Sequence, residues 1–248
     1  TAGIIVSLMI FVFLMFFIPV NLFSMHIMEG FLPPVWAGIW WLIAIPFICF
    51  GIASVRRIVA DKPEIKPLIA MAGAFAFVLS ALKIPSVTGS SSHMTGVALG
   101  TMMFGPFTMA LLGFIVLLFQ ALLLAHGGIT TLGANTVSMA VAGPLIAFFV
   151  FAMCRKSGMK VSIGIFLAAF LGDFFTYVVT SAQLAIAHPA ESGGVWISLV
   201  KFLSVFAVTQ VPLAIIEGIL TVVTINILSG YAIDEMRDLG FGKLVEEK

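Results

Sequence analysis

Long apolar runs separated by short polar breaks set the pattern of this chain. Apolar stretches cover 1–18, 35–53, 68–83, 95–104, 107–125, 134–153, 161–187 and about 197–229, and charges, glycines or prolines fall between them. A helix rising about 1.5 Å per residue needs about 20 residues to cross about 30 Å of hydrocarbon, which most of these runs supply. The apolar-polar alternation of membrane strands is absent, so the elements are helices. The run at 95–104, stopped by Gly105-Pro106, is too short to span and must be buried by its neighbours. Pro212 predicts a kink in the last helix. The prediction is an all-α polytopic membrane helical bundle with about seven transmembrane segments after an N-terminal signal segment is removed.

The first 24 residues have two readings. Pro19 breaks the first run and Ser24 follows five positions later, the anatomy of a signal peptide cut after Ser24. No lysine or arginine precedes the run, and Leu22 stands three before the cut, so an extra N-terminal transmembrane helix is the alternative. Residues 25–248 carry no repeat and no long linker and read as a single membrane domain. Small residues such as Ala70 and Ala74 are spaced to let helices approach closely.

Composition agrees with the pattern. At 61% hydrophobic and 9% charged residues there is too little polar surface to cover a soluble domain. A net charge of +1, without a long basic cluster, speaks against a nucleic-acid partner. The basic residues gather at Arg56, Arg57, Lys62 and Lys66, at Arg155, Lys156 and Lys160, and at Arg237, Lys243 and Lys248. The positive-inside tendency makes all three groups cytoplasmic in the cell's inner membrane, with the mature N-terminus outside and the C-terminus inside. All four histidines then fall at the outer face. Cys49 and Cys154 fall at or near the inner one, where a disulfide is not expected.

The candidate chemistry begins where the first run stops. Cleavage after Ser24 would give Met25 a free amine and make His26 the second residue. The amine, the His26 amide nitrogen and the His26 Nδ1 can then close a five-membered and a six-membered chelate ring on one cation. Such all-nitrogen tetragonal sites suit Ni(II) or Cu(II) and, with more strain, Co(II). The amide must lose its proton, so affinity should climb with pH. His93, in the Ser-rich stretch SVTGSSSHMTG (86–96), is the candidate fourth nitrogen, with Ser92 beside it; the alternative is a histidine satisfied by loop carbonyls. Met28 is a soft donor or packing, and Glu29 a charge partner. The polar break HGGITTLGANTVS (126–138) offers His126 and Asn135 as supporting or pathway residues, or forms a plain re-entrant loop. Asp173, Glu217 and Gln120 lie inside apolar runs, where each needs a partner, either for function or to tie helices together.

No GxxxxGK[ST] loop is present, so ATP is not hydrolysed by that route, and no HExxH or GxSxG motif marks a hydrolase.

Five blocks carry a resemblance: MHIMEGFLPP (25–34), GSSSHMTGVALGTMMFGP (89–106), HGGITTLGANTVSMAVAGP (126–144), GDFFTYVVTSAQLA (172–185) and FAVTQVPLAIIEGILTV (206–222). In order, they resemble the substrate-capture membrane subunit of cobalt and nickel energy-coupling-factor transporters, the CbiM/NikM family. The resemblance implies metal ligation by the N-terminus and second-position histidine of the mature chain and by the Ser-rich-loop histidine, here Met25, His26 and His93. It also implies no resident cofactor, with Co2+ or Ni2+ bound as the transported substrate. MHIMEG is similar to the cobalt branch, whose relatives supply cobalamin synthesis. The implied partners are a transmembrane coupling subunit, a cytoplasmic ATPase subunit, a small accessory membrane subunit and the lipid bilayer. A nickel-specific subunit is the alternative within the class. Outside it, the alternative is a membrane metal-dependent hydrolase with Glu29 as base.

Overall fold

The computed structural model describes residues 26–85 and 91–241. The leader reading, Met25, Lys243 and Lys248 lie outside the described residues. Helix α1 (Pro34–Asp61) opens on Pro33-Pro34, whose missing N–H costs nothing in a first helical turn. A short 3-10 turn (Pro63–Ile65) leads into α2 (Lys66–Ala81), and a two-residue hairpin, β1 (Ile84–Pro85) with β2 (Ser91–Ser92), follows. Next comes α3 (Val97–Phe104), whose eight residues are all buried, as a segment too short to span requires. Gly105, at φ 86°, reverses the chain into α4 (Pro106–Leu123). Then come α5 (Leu132–Lys156), α6 (Val161–Ala187), α7 (Gly194–Tyr231) and the short α8 (Ile233–Met236).

Among the described residues six helices are long and apolar enough to cross a membrane: α1, α2 with its preceding turn, α4, α5, α6 and α7. The chain is a multi-pass membrane protein of helices. Helix α5 widens to a π-helical stretch over Thr136–Ala142, just before Pro144. Pro144 has no N–H to give the preceding turn, and a widened turn accommodates the loss. Pro212 lies within α7 without ending it.

Helices approach closely at glycines: a Cβ on Gly143 of α5 would stand 3.1 Å from the Gly172 carbonyl of α6, and one on Gly51 of α1 would stand 2.7 Å from the Phe107 carbonyl of α4. The small residues of α2 that face the core are Ala72 and Ala76, whereas Ala70 and Ala74 are exposed. Two positions along a helix turn the side chain through about 200°, so the neighbouring pair holds the packing face. An apolar cluster containing Ile65, Phe104, Phe151, Met236 and Phe241 fills one end of the bundle. The other end gathers the loops 26–33, 91–96 and 124–131. Cys49 is exposed and Cys154 buried, both free thiols.

Candidate metal centre

Three loops bring His26, His93 and His126 together, and all three side chains are buried. One nitrogen from each lies within 4.8 Å of the others. A cation about 2 Å from each imidazole nitrogen needs donors no more than about 4 Å apart, so these nitrogens stand near the spacing at which two of them share one cation. The His26 and His93 rings stack at 4.4 Å between centroids, and His126 stands edge-on to both, at 4.3 and 5.1 Å.

The His26 backbone is positioned by the neighbouring Ile27. Asn135 clasps Ile27 from both sides: its Oδ1 accepts the Ile27 N–H at 2.8 Å, and its Nδ2 donates to the Ile27 carbonyl at 3.1 Å. The Thr131 hydroxyl adds a second donor to that carbonyl at 2.6 Å. The Glu29 carboxylate accepts the Thr130 N–H at 3.1 Å. This crossing requires glycine at 128, where a Cβ would stand 2.5 Å from the Glu29 Cα. Glu29 is exposed, and the Thr130 hydrogen bonds hold its carboxyl below the usual value against a small burial effect.

Hydrogen bonds assign the tautomers. His93 Nδ1 lies 2.8 Å from the Met94 carbonyl, which can only accept, so Nδ1 carries the proton and Nε2 keeps its lone pair. That Nε2 is buried and has no hydrogen-bond partner among the described residues. His26 Nε2 lies 3.3 Å from the Met139 thioether, a weak acceptor, which assigns the proton to Nε2. The His26 Nδ1 lone pair then accepts from His126 Nε2 at 2.8 Å. Burial comes first among the causes that keep these rings neutral. It pushes His93 down to about 4 and His126 to about 2, and holds His26 well below the ordinary value, with the neighbouring rings and the Lys83 ammonium adding to the effect on His26. Neutral imidazoles are the form that binds metal.

The residues singled out from sequence divide accordingly. His26, His93 and His126 converge. Asn135 and Glu29 fasten the 26–30 loop, while Ser92 shares a 2.7 Å hydrogen bond with Thr209. His188 is at the same end but apart from the cluster, its Nε2 donating to the Phe31 carbonyl at 2.8 Å. Gln120 donates to Ser80 at 2.7 Å and ties α4 to α2. Asp173 accepts from Gln210 at 2.6 Å, and Glu217 from Thr95. Sequence reading did not single out Met139, Gln210 or Lys83. Met139 reads there as one more apolar residue, and Gln210, a polar residue inside an apolar run, was the one legible signal.

A family described as the cobalt uptake substrate-specific transmembrane region, CbiM, matches residues 26–234. The cobalt transport protein CbiM of Anoxybacillus flavithermus is 55% identical over 232 residues, 94% of this chain and 93% of that protein. The protein of the same name from Thermosipho melanesiensis is 57% identical over 230 residues, 93% of this chain and 97% of its own. In fold, the chain is similar to the crystal structure of a truncated transition metal transporter, with a TM-score of 0.73 at 21% identity, covering 83% of this chain and 99% of that one.

Proposed function

The chain belongs to the CbiM family, and from that membership we propose that it is the substrate-binding membrane subunit of an ATP-driven energy-coupling-factor importer for divalent cobalt. The observation that carries this reading is the convergence of three buried, neutral imidazoles at one end of a membrane bundle. Nitrogen donors suit Co(II) or Ni(II) and suit the hard, oxygen-seeking cations poorly. In the proposed site the His26 Nδ1 and amide nitrogen, the Met25 amine and the His93 Nε2 bind the cation. His126, whose Nε2 donates to the His26 Nδ1 at 2.8 Å, gives way to it.

The histidine end faces outward in this reading, since Arg56, Arg57, Lys62, Lys66, Arg155, Lys156 and Lys160 belong to the other end. A transmembrane coupling subunit, a cytoplasmic ATPase subunit and a small accessory membrane subunit complete the importer, and the cobalt feeds cobalamin synthesis. The first 24 residues are removed to free the Met25 amine. A hydrolase would need its base at the metal. Glu29 instead faces solvent, with Thr130 as its partner.

The test is cobalt accumulation by cells that lack other cobalt importers and express the chain with its partner subunits. Uptake that exceeds nickel uptake and vanishes with His26→Ala supports the proposal. Uptake unchanged by that substitution, or equal for the ATPase-dead assembly, contradicts it.

A further inference from the structure

The segment that carries His93 is short, and one helix holds it at three points. Thr209 of α7 shares a hydrogen bond with Ser92 at 2.7 Å. One residue on, the Gln210 Nε2 donates to the His93 carbonyl at 3.2 Å and to Asp173 Oδ2 of α6 at 2.6 Å. Two helical turns further, the Glu217 carboxylate accepts the Thr95 backbone N–H at 2.5 Å and the Thr95 hydroxyl at 2.9 Å. Gln210, Glu217, Asp173 and Thr95 are all buried. On the far side of the segment, Gly96 lies against α2, where a Cβ would stand 2.7 Å from the Ala76 Cα.

A glutamate and a glutamine buried in a spanning helix are costly there, since an apolar residue would pack without desolvation. Here each side chain spends one hydrogen bond on the backbone that flanks His93, while Gln210 also donates to Asp173 and Glu217 also accepts from the Thr95 hydroxyl. The ring itself is fixed to the same segment through the Met94 carbonyl. The position of His93 Nε2 is thus set in two steps, ring to segment and segment to α7.

The anchors also bracket Pro212. Its missing N–H takes the bond to the Val208 carbonyl out of the helix ladder, in the turn that carries Thr209 and Gln210. Helix α7 has 38 residues, about 57 Å at 1.5 Å per residue, and reaches from the histidine end to the opposite end.

We propose that Gln210 and Glu217 are positioning residues of the metal site, through which α7 holds His93 in place. The inference rests on His93 being a ligand, as proposed above.

The experiment is a Co(II) titration of the purified full chain in lipid nanodiscs, read by affinity and by the visible spectrum of the bound ion. Four proteins form a cycle: the parent chain, Glu217→Gln, His93→Ala and the double variant. An amide offers one acceptor oxygen where the carboxylate offers two, so Glu217→Gln loses the 2.9 Å bond from the Thr95 hydroxyl to Oε1 and keeps only the contacts to Oε2. Its affinity is expected to fall about 10- to 100-fold, as for other supports of metal ligands, with shifted cobalt bands. In the His93→Ala background the same change should add less than about twofold. Parent-like affinity and spectrum for Glu217→Gln overturn the inference. So does an equal loss in both backgrounds, which would make Glu217 a support of the bundle at large. Parent-like binding by His93→Ala would instead overturn the ligand assignment. Should Glu217→Gln fail to accumulate, Gln210→Met removes the donor to the His93 carbonyl at similar length and is read in the same cycle against the same outcomes.

Discussion

The loops around His26 and the helix ends around Phe241 both hold backbone at a margin of the bundle, and they use opposite means. At the histidine end, buried polar side chains reach across the fold to single backbone groups: Asn135 to Ile27, Gln183 to Ala134, Gln210 to His93 and Glu217 to Thr95. At the other end Phe241 stacks on Phe151 at 5.7 Å, Arg155 lies over the Phe151 ring at 5.8 Å, and Met236 fills the space beside them. The polar contacts there include an exposed Lys62–Asp238 pair. Hydrogen bonds fix direction and distance, whereas apolar packing fixes volume and tolerates small shifts. A cation site needs donors held to fractions of an ångström. An end that only closes the bundle does not.

The comparison breaks most sharply if ligand loss and packing loss have the same effect. His26→Ala or His93→Ala should lower Co(II) affinity more than about 100-fold, beyond the cost of losing a supporting residue, while the metal-free melting temperature stays near that of the parent. Phe151→Ala should do the reverse. It removes a large buried ring and costs about 3 kcal/mol of stability by analogy with soluble cores, with cobalt affinity within about twofold in an isothermal titration.

Asn135 sharpens the point at intermediate size. Asn135→Ala leaves the buried Ile27 N–H without its acceptor, a cost of about 1–3 kcal/mol, and should weaken cobalt binding about tenfold. Asn135→Asp keeps the acceptor but sets a carboxylate oxygen against the Ile27 carbonyl where the Nδ2 donated at 3.1 Å, so it should recover little of that loss.

Acid provides a test without mutation. His93 is pushed down to about 4 in the fold, so between the ordinary value of about 6.5 and that point the unfolded chain binds more protons than the folded one. Stability is therefore lost as pH falls through this window. Thermal melts of the metal-free protein should drop between pH 7 and pH 5, with a shallower slope in His93→Gln. The smallest effect belongs to the exposed pair: Lys62→Ala should change stability by less than about 1 kcal/mol, and less still in high salt.

Much of this difference between the ends was legible in the sequence. Hydropathy alone marks the spanning helices, because a helix in lipid must be apolar over a fixed length. It marks α3 as well, since a largely apolar run of eight residues before Gly105-Pro106, too short to span, can only be buried. His26 and His93 were legible through chelate geometry and a polar loop, and 126–138 through its break in an apolar run. The distances were not. Nothing in a linear pattern says that His126 lies on the His26 Nδ1, or that Asn135 spans both sides of Ile27. Met139 was hidden because a thioether facing an imidazole and one facing lipid read alike. The π-helical stretch at 136–142 depends on how the turn before Pro144 relaxes, which composition does not encode. Ala70 and Ala74 show the same limit: an equally good small-residue spacing two positions away faced the core.

The most direct test of the central claim is cobalt K-edge X-ray absorption on the purified, Co(II)-loaded protein. A first shell of nitrogen donors with the outer-shell scattering of at least two imidazoles is the predicted result, with the imidazole signal reduced in His93→Ala. A shell of oxygen donors without imidazole scattering would place the cation elsewhere and contradict the account.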